Sequence, residues 1–186
     1  MRPGLAVFVV VVIAQWLLPL SGIWQHERVI SRGTLLKIEC GAPDPYDPLR
    51  GRYLAVRPKQ STVSEPEGFP RRGGLVPVWA TLETGDDGLA RITSLSLEPV
   101  SGPTIIPLTA RKWGTTNGTD VIWLDWPFDR FYLNERLAPE ADKLVAERSR
   151  DRKTVAEVRL LDGRAVLTDI LLDGVSIREV VKRRAK

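Results

Sequence analysis

The sequence predicts a mainly β protein of the α+β kind, in which an N-terminal transmembrane helix precedes a small antiparallel barrel- or sandwich-like domain with one helix. Three observations predict it. Leu5 to Trp24 carries no charged residue, and about 20 helical residues at roughly 1.5 Å each match the ~30 Å hydrocarbon core of a bilayer. Downstream, short apolar runs alternate with polar residues at the period of two that a half-buried strand requires. Those runs are divided by Gly-Asp-Asp-Gly, Asn-Gly and two Asp-Gly pairs, the chemistry of hairpin connections.

The apolar segment has two readings, a retained anchor or a cleavable signal peptide. A signal's apolar region covers roughly 7 to 15 residues, and this run is longer, which favours the anchor; cleavage would fall near Pro19, Ser21 and Gly22. Either way the bulk of the chain is exported. Arg2 on the short flank, against Glu27 beside Arg28 on the other, favours a cytoplasmic N-terminus, and Trp16 and Trp24 suit the outer interface. Residues 1–24 are thus the anchor, 25–181 an extracytoplasmic β-rich domain and 182–186 a basic tail.

Within the domain, Leu35 to Ala42 reads as a strand, followed by a turn stiffened by Pro43, Pro45 and Pro48, which cannot donate to a ladder. Gly51 leads into a second strand, Tyr53 to Arg57, closed by Pro58 and expected to pair antiparallel with the first. Gln60 to Gly74 is poor in aliphatic residues and rich in Pro, Gly and charge, the composition of a long exposed loop. Leu75–Thr84 and Ala90–Leu97 flank Gly85-Asp86-Asp87-Gly88 as a hairpin. Ile105–Ala110 and Val121–Trp126 flank a flexible turn over Gly114 to Thr119, in which Asn117-Gly118-Thr119 fits both a turn and a glycosylation acceptor. From Leu137 to Arg150 the pattern becomes helical, with Pro139 in the first turn, Glu140 and Asp142 at the positive end and Arg148 and Arg150 at the negative end. Thr154–Leu161, Arg164–Leu172 and Val175–Ile177, joined by Asp162-Gly163 and Asp173-Gly174, close the chain as two hairpins.

Composition removes several chemistries. The single cysteine, Cys40, can form no internal disulfide and sits in a strand pattern as a small buried side chain. The single histidine, His26, lies at the membrane boundary, which leaves the domain without a Ser-His-Asp triad or a His/Cys zinc site. There is no Walker loop, dinucleotide glycine motif or calcium loop, and no cofactor or metal is expected. The net charge of +4 is concentrated in Lys182, Arg183, Arg184 and Lys186, a basic tail that reads as a solvated terminus; nucleic acid is not an expected partner outside the cytoplasm.

Two constellations are candidate binding sites. Asp47, Arg50, Gly51, Arg52 and Tyr53 put two guanidiniums on a turn, where they would take a carboxylate or phosphate bidentately; the structural alternative is a capped turn with Tyr53 packed inward. Asp129, Arg130, Tyr132 and Glu135, with Asp125 nearby, lie among Trp123, Trp126, Phe128 and Phe131. Aromatic rings beside carboxylates suit a groove for a sugar or peptide, and two carboxylates can divide acid and base work; the alternative is an aromatic core strand leaving through Pro127. A Ser-Lys dyad from Lys59 with Ser61 or Ser64 is unsupported, because a Pro- and Glu-rich loop does not desolvate the lysine. No catalytic residue is assigned.

The segment Pro43 to Pro58 (PDPYDPLRGRYLAVRP) resembles the signature of the bacterial GDYXXLXY protein family. Phe128 to Glu135 (FDRFYLNE) resembles its later aromatic motif, and Gly163 to Gly174 (GRAVLTDILLDG) its closing hairpin, so the likeness runs through most of the chain in order. Arg52 stands where the signature has Asp, Val56 where it has Leu and Pro58 where it has the second Tyr. The resemblance implies a membrane-anchored domain, in places associated with polytopic membrane proteins, and implies no activity.

Together these readings lead to one expectation: a single-pass protein of the inner membrane whose periplasmic C-terminal domain is a non-catalytic accessory or interaction module for an integral membrane partner. The alternative expectation is a cell-envelope hydrolase with a carboxylate pair in an aromatic groove.

Overall fold

A single helix, α1, runs from Pro3 to Arg32, past the end of the apolar segment. In this computed structural model, residues 3–41, 53–70, 74–116, 118–132 and 154–184 are described. Pro19 lies within α1 without ending it. Gly33 ends it: its N–H makes the last helical hydrogen bond, 2.8 Å to the Val29 carbonyl. Any side chain at Gly33 would place its Cβ 2.5 Å from that same oxygen and 3.2 Å from Arg159 Cβ. Only glycine lets the chain turn there from helix into sheet. Among the described residues no helix is long and apolar enough to cross a membrane, so the expected transmembrane span is not shown.

The strands are β1 (Thr34–Cys40), β2 (Tyr53–Ala55), β3 (Thr62–Ser64), β4 (Val76–Thr84), β5 (Ala90–Ser96), β6 (Ile105–Thr116), β7 (Thr119–Asp125), β8 (Arg130–Tyr132), β9 (Thr154–Leu161), β10 (Arg164–Leu172) and β11 (Val175–Ser176). A last helix, α2, covers Ile177–Arg184. Nine strands form one sheet in the order β11-β10-β9-β1-β5-β4-β6-β7-β3, and β2 with β8 forms a separate ribbon. The protein is mainly β, as expected of the class, with two helices among the described residues; the second, at Ile177–Arg184, stands where no helix was expected, and the described strands form an open sheet, not a closed barrel.

Nor is the sheet wholly antiparallel. β1 pairs antiparallel with β9 from Thr34↔Leu160 to Cys40↔Thr154, while its other edge meets β5 in parallel at the single position Ile38↔Ala90. This junction joins two antiparallel blocks, in which the hairpins β9–β10, β4–β5 and β6–β7 are extended by the non-local pairs β1–β9, β4–β6 and β3–β7. The expected pairing of β1 with β2 is corrected: β2 pairs with β8 through Tyr53↔Tyr132, Leu54↔Phe131 and Ala55↔Arg130. The chain after β2 does return beside β1, through a bridge between Cys40 and Pro58 and a 2.9 Å bond from Gly41 N–H to the Arg57 carbonyl.

The hairpin turns obey their sequences. Asp162 and Gly163 have φ of 49° and 74°, and Asp173 and Gly174 have 50° and 81°, the left-handed pairs whose twist matches the flanking strands. In the third hairpin the strands continue through most of the expected Gly114–Thr119 turn: β6 reaches Thr116 and β7 starts at Thr119. Bulges interrupt three registers, between Thr81 and Leu82, Lys112 and Gly114, and Leu167 and Asp169. At two of them a threonine on the bulged strand supplies the missing donor, Thr93 to the Thr81 carbonyl at 3.4 Å and Thr168 to the Glu157 carbonyl at 3.0 Å.

One face of the sheet is apolar throughout. Leu36, Ile38, Val78, Ala80, Leu82, Ile106, Leu108, Ala110, Ile122, Leu124, Ala156, Val158 and Leu160 are buried there. The sheet coils about this face, so that β10 touches β6 although four strands separate them in the order. The β2–β8 ribbon closes over the coil through Leu54 and Phe131, and α2 adds Ile177 and Val181, both fully buried. Lys182 and Arg183 of the expected basic tail thus lie on the exposed side of a docked helix. The exposed-loop reading of Gln60–Gly74 also yields in part, since β3 within it pairs with β7 at Thr62↔Trp123, Val63↔Ile122 and Ser64↔Val121. The helix expected over 137–150 lies outside the described residues.

Candidate functional site

Sequence-predicted residues line a cleft of about 490 Å³ beside β8. Pro127, Phe128, Asp129, Arg130, Phe131 and Tyr132 form one wall, Ala165, Val166 and Leu167 of β10 another, and His26 of α1 and Arg178 of α2 complete it. Alternation along β8 sorts its side chains: Phe131 is buried, whereas Arg130 and Tyr132 are exposed. The Arg178 guanidinium lies over the Phe131 ring at 5.0 Å, within cation–π range. Asp129 faces Arg130 Nε at 3.4 Å and is 73% exposed.

The second constellation is thus only partly assembled. Asp125 does not line this cleft. It accepts a 2.9 Å hydrogen bond from Trp123 Nε1 and lies 4.0 Å from Arg111, on the β6–β7 hairpin. There Arg111 sits 6.0 and 5.9 Å from the rings of Trp113 and Trp123, which are themselves 5.1 Å apart. Trp126 packs against Phe128 with its ring tilted and the centroids 5.6 Å apart, and donates to the Gln60 carbonyl at 3.3 Å. Glu135 lies outside the described residues.

Of the first constellation, Asp47, Arg50, Gly51 and Arg52 lie outside the described residues, and Tyr53 contributes the first residue of β2. The Ser-Lys dyad is not formed. Lys59 Nζ is held 2.7 Å from Glu39, and buried Ser61 donates to the Pro58 carbonyl at 2.6 Å. Cys40 is buried and free; burial pushes its thiol up to about 12, so it is neutral and unreactive at physiological pH. Among the described residues no group of three or more His, Cys, Asp or Glu is placed to hold a metal.

Sequence reasoning missed His26 and Arg178 as cleft residues. They come from opposite ends of the chain, and only the docking of both helices on β10 brings them to Tyr132. A local signal for α2 was present: Ser176-Ile177-Arg178-Glu179 has the spacing of a capping box.

The fold defines a class: a coiled, open β-sheet held at one end by a long N-terminal helix. The chain belongs to the GDYXXLXY protein family, whose model matches residues 15–170. The match begins inside α1 and ends within β10, so it takes in the helix-to-sheet junction. No curated protein and no solved structure matches the chain.

Proposed function

We propose that this protein is a membrane-anchored, extracytoplasmic β domain that serves as a non-catalytic accessory module for an integral membrane protein. One observation carries the reading: α1 is two things in a single helix. Its first part presents Val7, Phe8, Val10, Ile13, Trp16, Leu17, Leu18, Leu20 and Ile23 to the surroundings, each more than half exposed. Its last part is fastened to the sheet by buried Val29 and by the Arg159 bond to the Gly33 carbonyl at 3.1 Å. Such a length of exposed apolar side chains is a cost in water and a gain in lipid. The full span is set by the sequence from Leu5 to Trp24, in which the side chains of Leu5, Ala6 and Val9 lie outside the described residues.

The cleft beside β8 supports interaction over catalysis, because its one described carboxylate, Asp129, is solvated and paired with Arg130. Tyr132, 67% exposed at its rim, is the natural contact point.

The test is in-cell photo-crosslinking of the full chain with a photoreactive residue at Tyr132 or, as control, at exposed Thr93 of β5. The proposal expects one discrete membrane-protein adduct from position 132 and none from 93. A lone, processed chain without adducts, or a purified chain that hydrolyses envelope polymers and loses turnover in Asp129→Asn, would replace it.

A further inference from the structure

A second pocket lies where α1 meets the β9–β10 turn, and it is distinct from the cleft beside β8. It encloses about 240 Å³ and is lined by Trp24, Gln25, Arg28, Val29, Leu161, Asp162 and Arg164. Its floor is apolar, from Val29 and Leu161. Its rim carries two guanidiniums. Arg28 lies over the Trp24 ring at 5.7 Å and 3.7 Å from Asp162, and Arg164 is hydrogen-bonded to the Gln25 side-chain oxygen. Neither cation is committed to a buried pair: Arg28 is 44% exposed and its Asp162 partner 73%.

We infer that this pocket binds the headgroup of an anionic phospholipid, with Arg28 and Arg164 on the phosphate and Trp24 against the glycerol and upper acyl chain. The inference rests on the anchor proposed above, and depth is the reason. If Leu5 to Trp24 spans the hydrocarbon core, the helix rises only about 6 Å between Trp24 and Arg28, and a headgroup layer is about 5–8 Å thick. The pocket therefore opens within that layer. Planar guanidiniums take phosphate oxygens in parallel N–H···O bonds, indole is favoured at that level, and two cations against one carboxylate leave the rim positive. A bound lipid would tie the β9–β10 turn to the bilayer surface and fix how the domain stands on its helix.

The experiment uses the full chain purified in a neutral detergent, with native mass spectrometry counting adducts of dioleoylphosphatidylglycerol, dioleoylphosphatidylcholine and inorganic phosphate. One phosphatidylglycerol should be retained in preference to phosphatidylcholine. Removing a basic residue near a lipid surface weakens attraction by about fivefold, so R28Q with R164Q should lose about 25-fold in phosphatidylglycerol affinity, while R111Q on the β6–β7 hairpin changes nothing. Asp162→Asn, which removes the competing carboxylate, should raise affinity about fivefold; this gain cannot come from misfolding. Equal binding of the two lipids, an unchanged double variant, a loss in Asp162→Asn, or stoichiometric binding of inorganic phosphate that displaces the lipid would each overturn the inference. Alkaline carbonate extraction of the source membranes separates the two claims: a chain released by carbonate refutes the anchor, whereas a retained chain without lipid preference refutes only the headgroup site.

Discussion

Helix α2 gives the sharpest prediction, because its basic residues would otherwise mark it as a frayed end. Ile177 and Val181 are fully buried on its inner side, while Lys182 and Arg183 are exposed. Truncating Ile177 to Ala removes three buried carbons, about 2.4 kcal/mol of transfer free energy at ~0.8 kcal/mol each. The cavity left behind adds to this, since a coiled sheet on one side and the β11 turn on the other restrict collapse, bringing the loss to about 3–4 kcal/mol. For a chain of this size that lowers the melting temperature by about 6–16 °C. Lys182→Ala on the same helix should cost less than about 0.5 kcal/mol. The assay is thermal unfolding of the detergent-solubilised full chain, followed by near-ultraviolet circular dichroism. If Ile177→Ala and Lys182→Ala melt within about 2 °C of each other, α2 is not docked and its burial is wrong.

Three further outcomes follow from the same geometry. Gly33→Ala should destabilise by about 2 kcal/mol through overpacking against the Val29 carbonyl, read as a lowered denaturant midpoint; an unchanged midpoint would mean that α1 is not fixed to the sheet there. Gly163→Ala, at φ 74° and with its new Cβ 3.3 Å from Pro107 Cδ, should cost about 1–2 kcal/mol, whereas exposed Gly88→Ala meets no neighbour and pays only its own backbone strain. Cys40 should resist maleimide at pH 8 in the folded chain and react at once in denaturant. Its thiol is raised in the folded state from an ordinary value near 9 to about 12, so the folded state holds its proton longer than the unfolded one. The associated stability is full below pH 9 and declines as pH rises through 9 towards 12; rapid native labelling would refute the burial.

Local chemistry was readable in the sequence and non-local chemistry was not. Asp162-Gly163 and Asp173-Gly174 announce their hairpins because the turn residues themselves select the left-handed geometry. The register of β9 and β10 then follows from alternation. The parallel junction of β1 with β5 has no such signature: it rests on one pair, Ile38↔Ala90, set by how two finished blocks dock. β3 holds a single aliphatic residue, Val63, too little periodicity to mark a strand. α2 was hidden for another reason, since the charge of Lys182, Arg183 and Arg184 outweighed the i, i+3, i+4 spacing of Ile177, Val180 and Val181. The candidate site divides along the same boundary. Phe128 to Tyr132 line one cleft because they are contiguous, but Asp125 belongs to β7, beside Trp123 and Arg111, and His26 and Arg178 arrive only through the packing of both helices.

The measurement that tests the account most directly is alkaline carbonate extraction of membranes from cells producing the full chain, with external protease added to intact spheroplasts. An anchored chain stays with the membrane pellet at its full, unprocessed length, and its residues after α1 are digested from outside. Release of the intact chain into the carbonate supernatant, or complete protection from external protease, would contradict it.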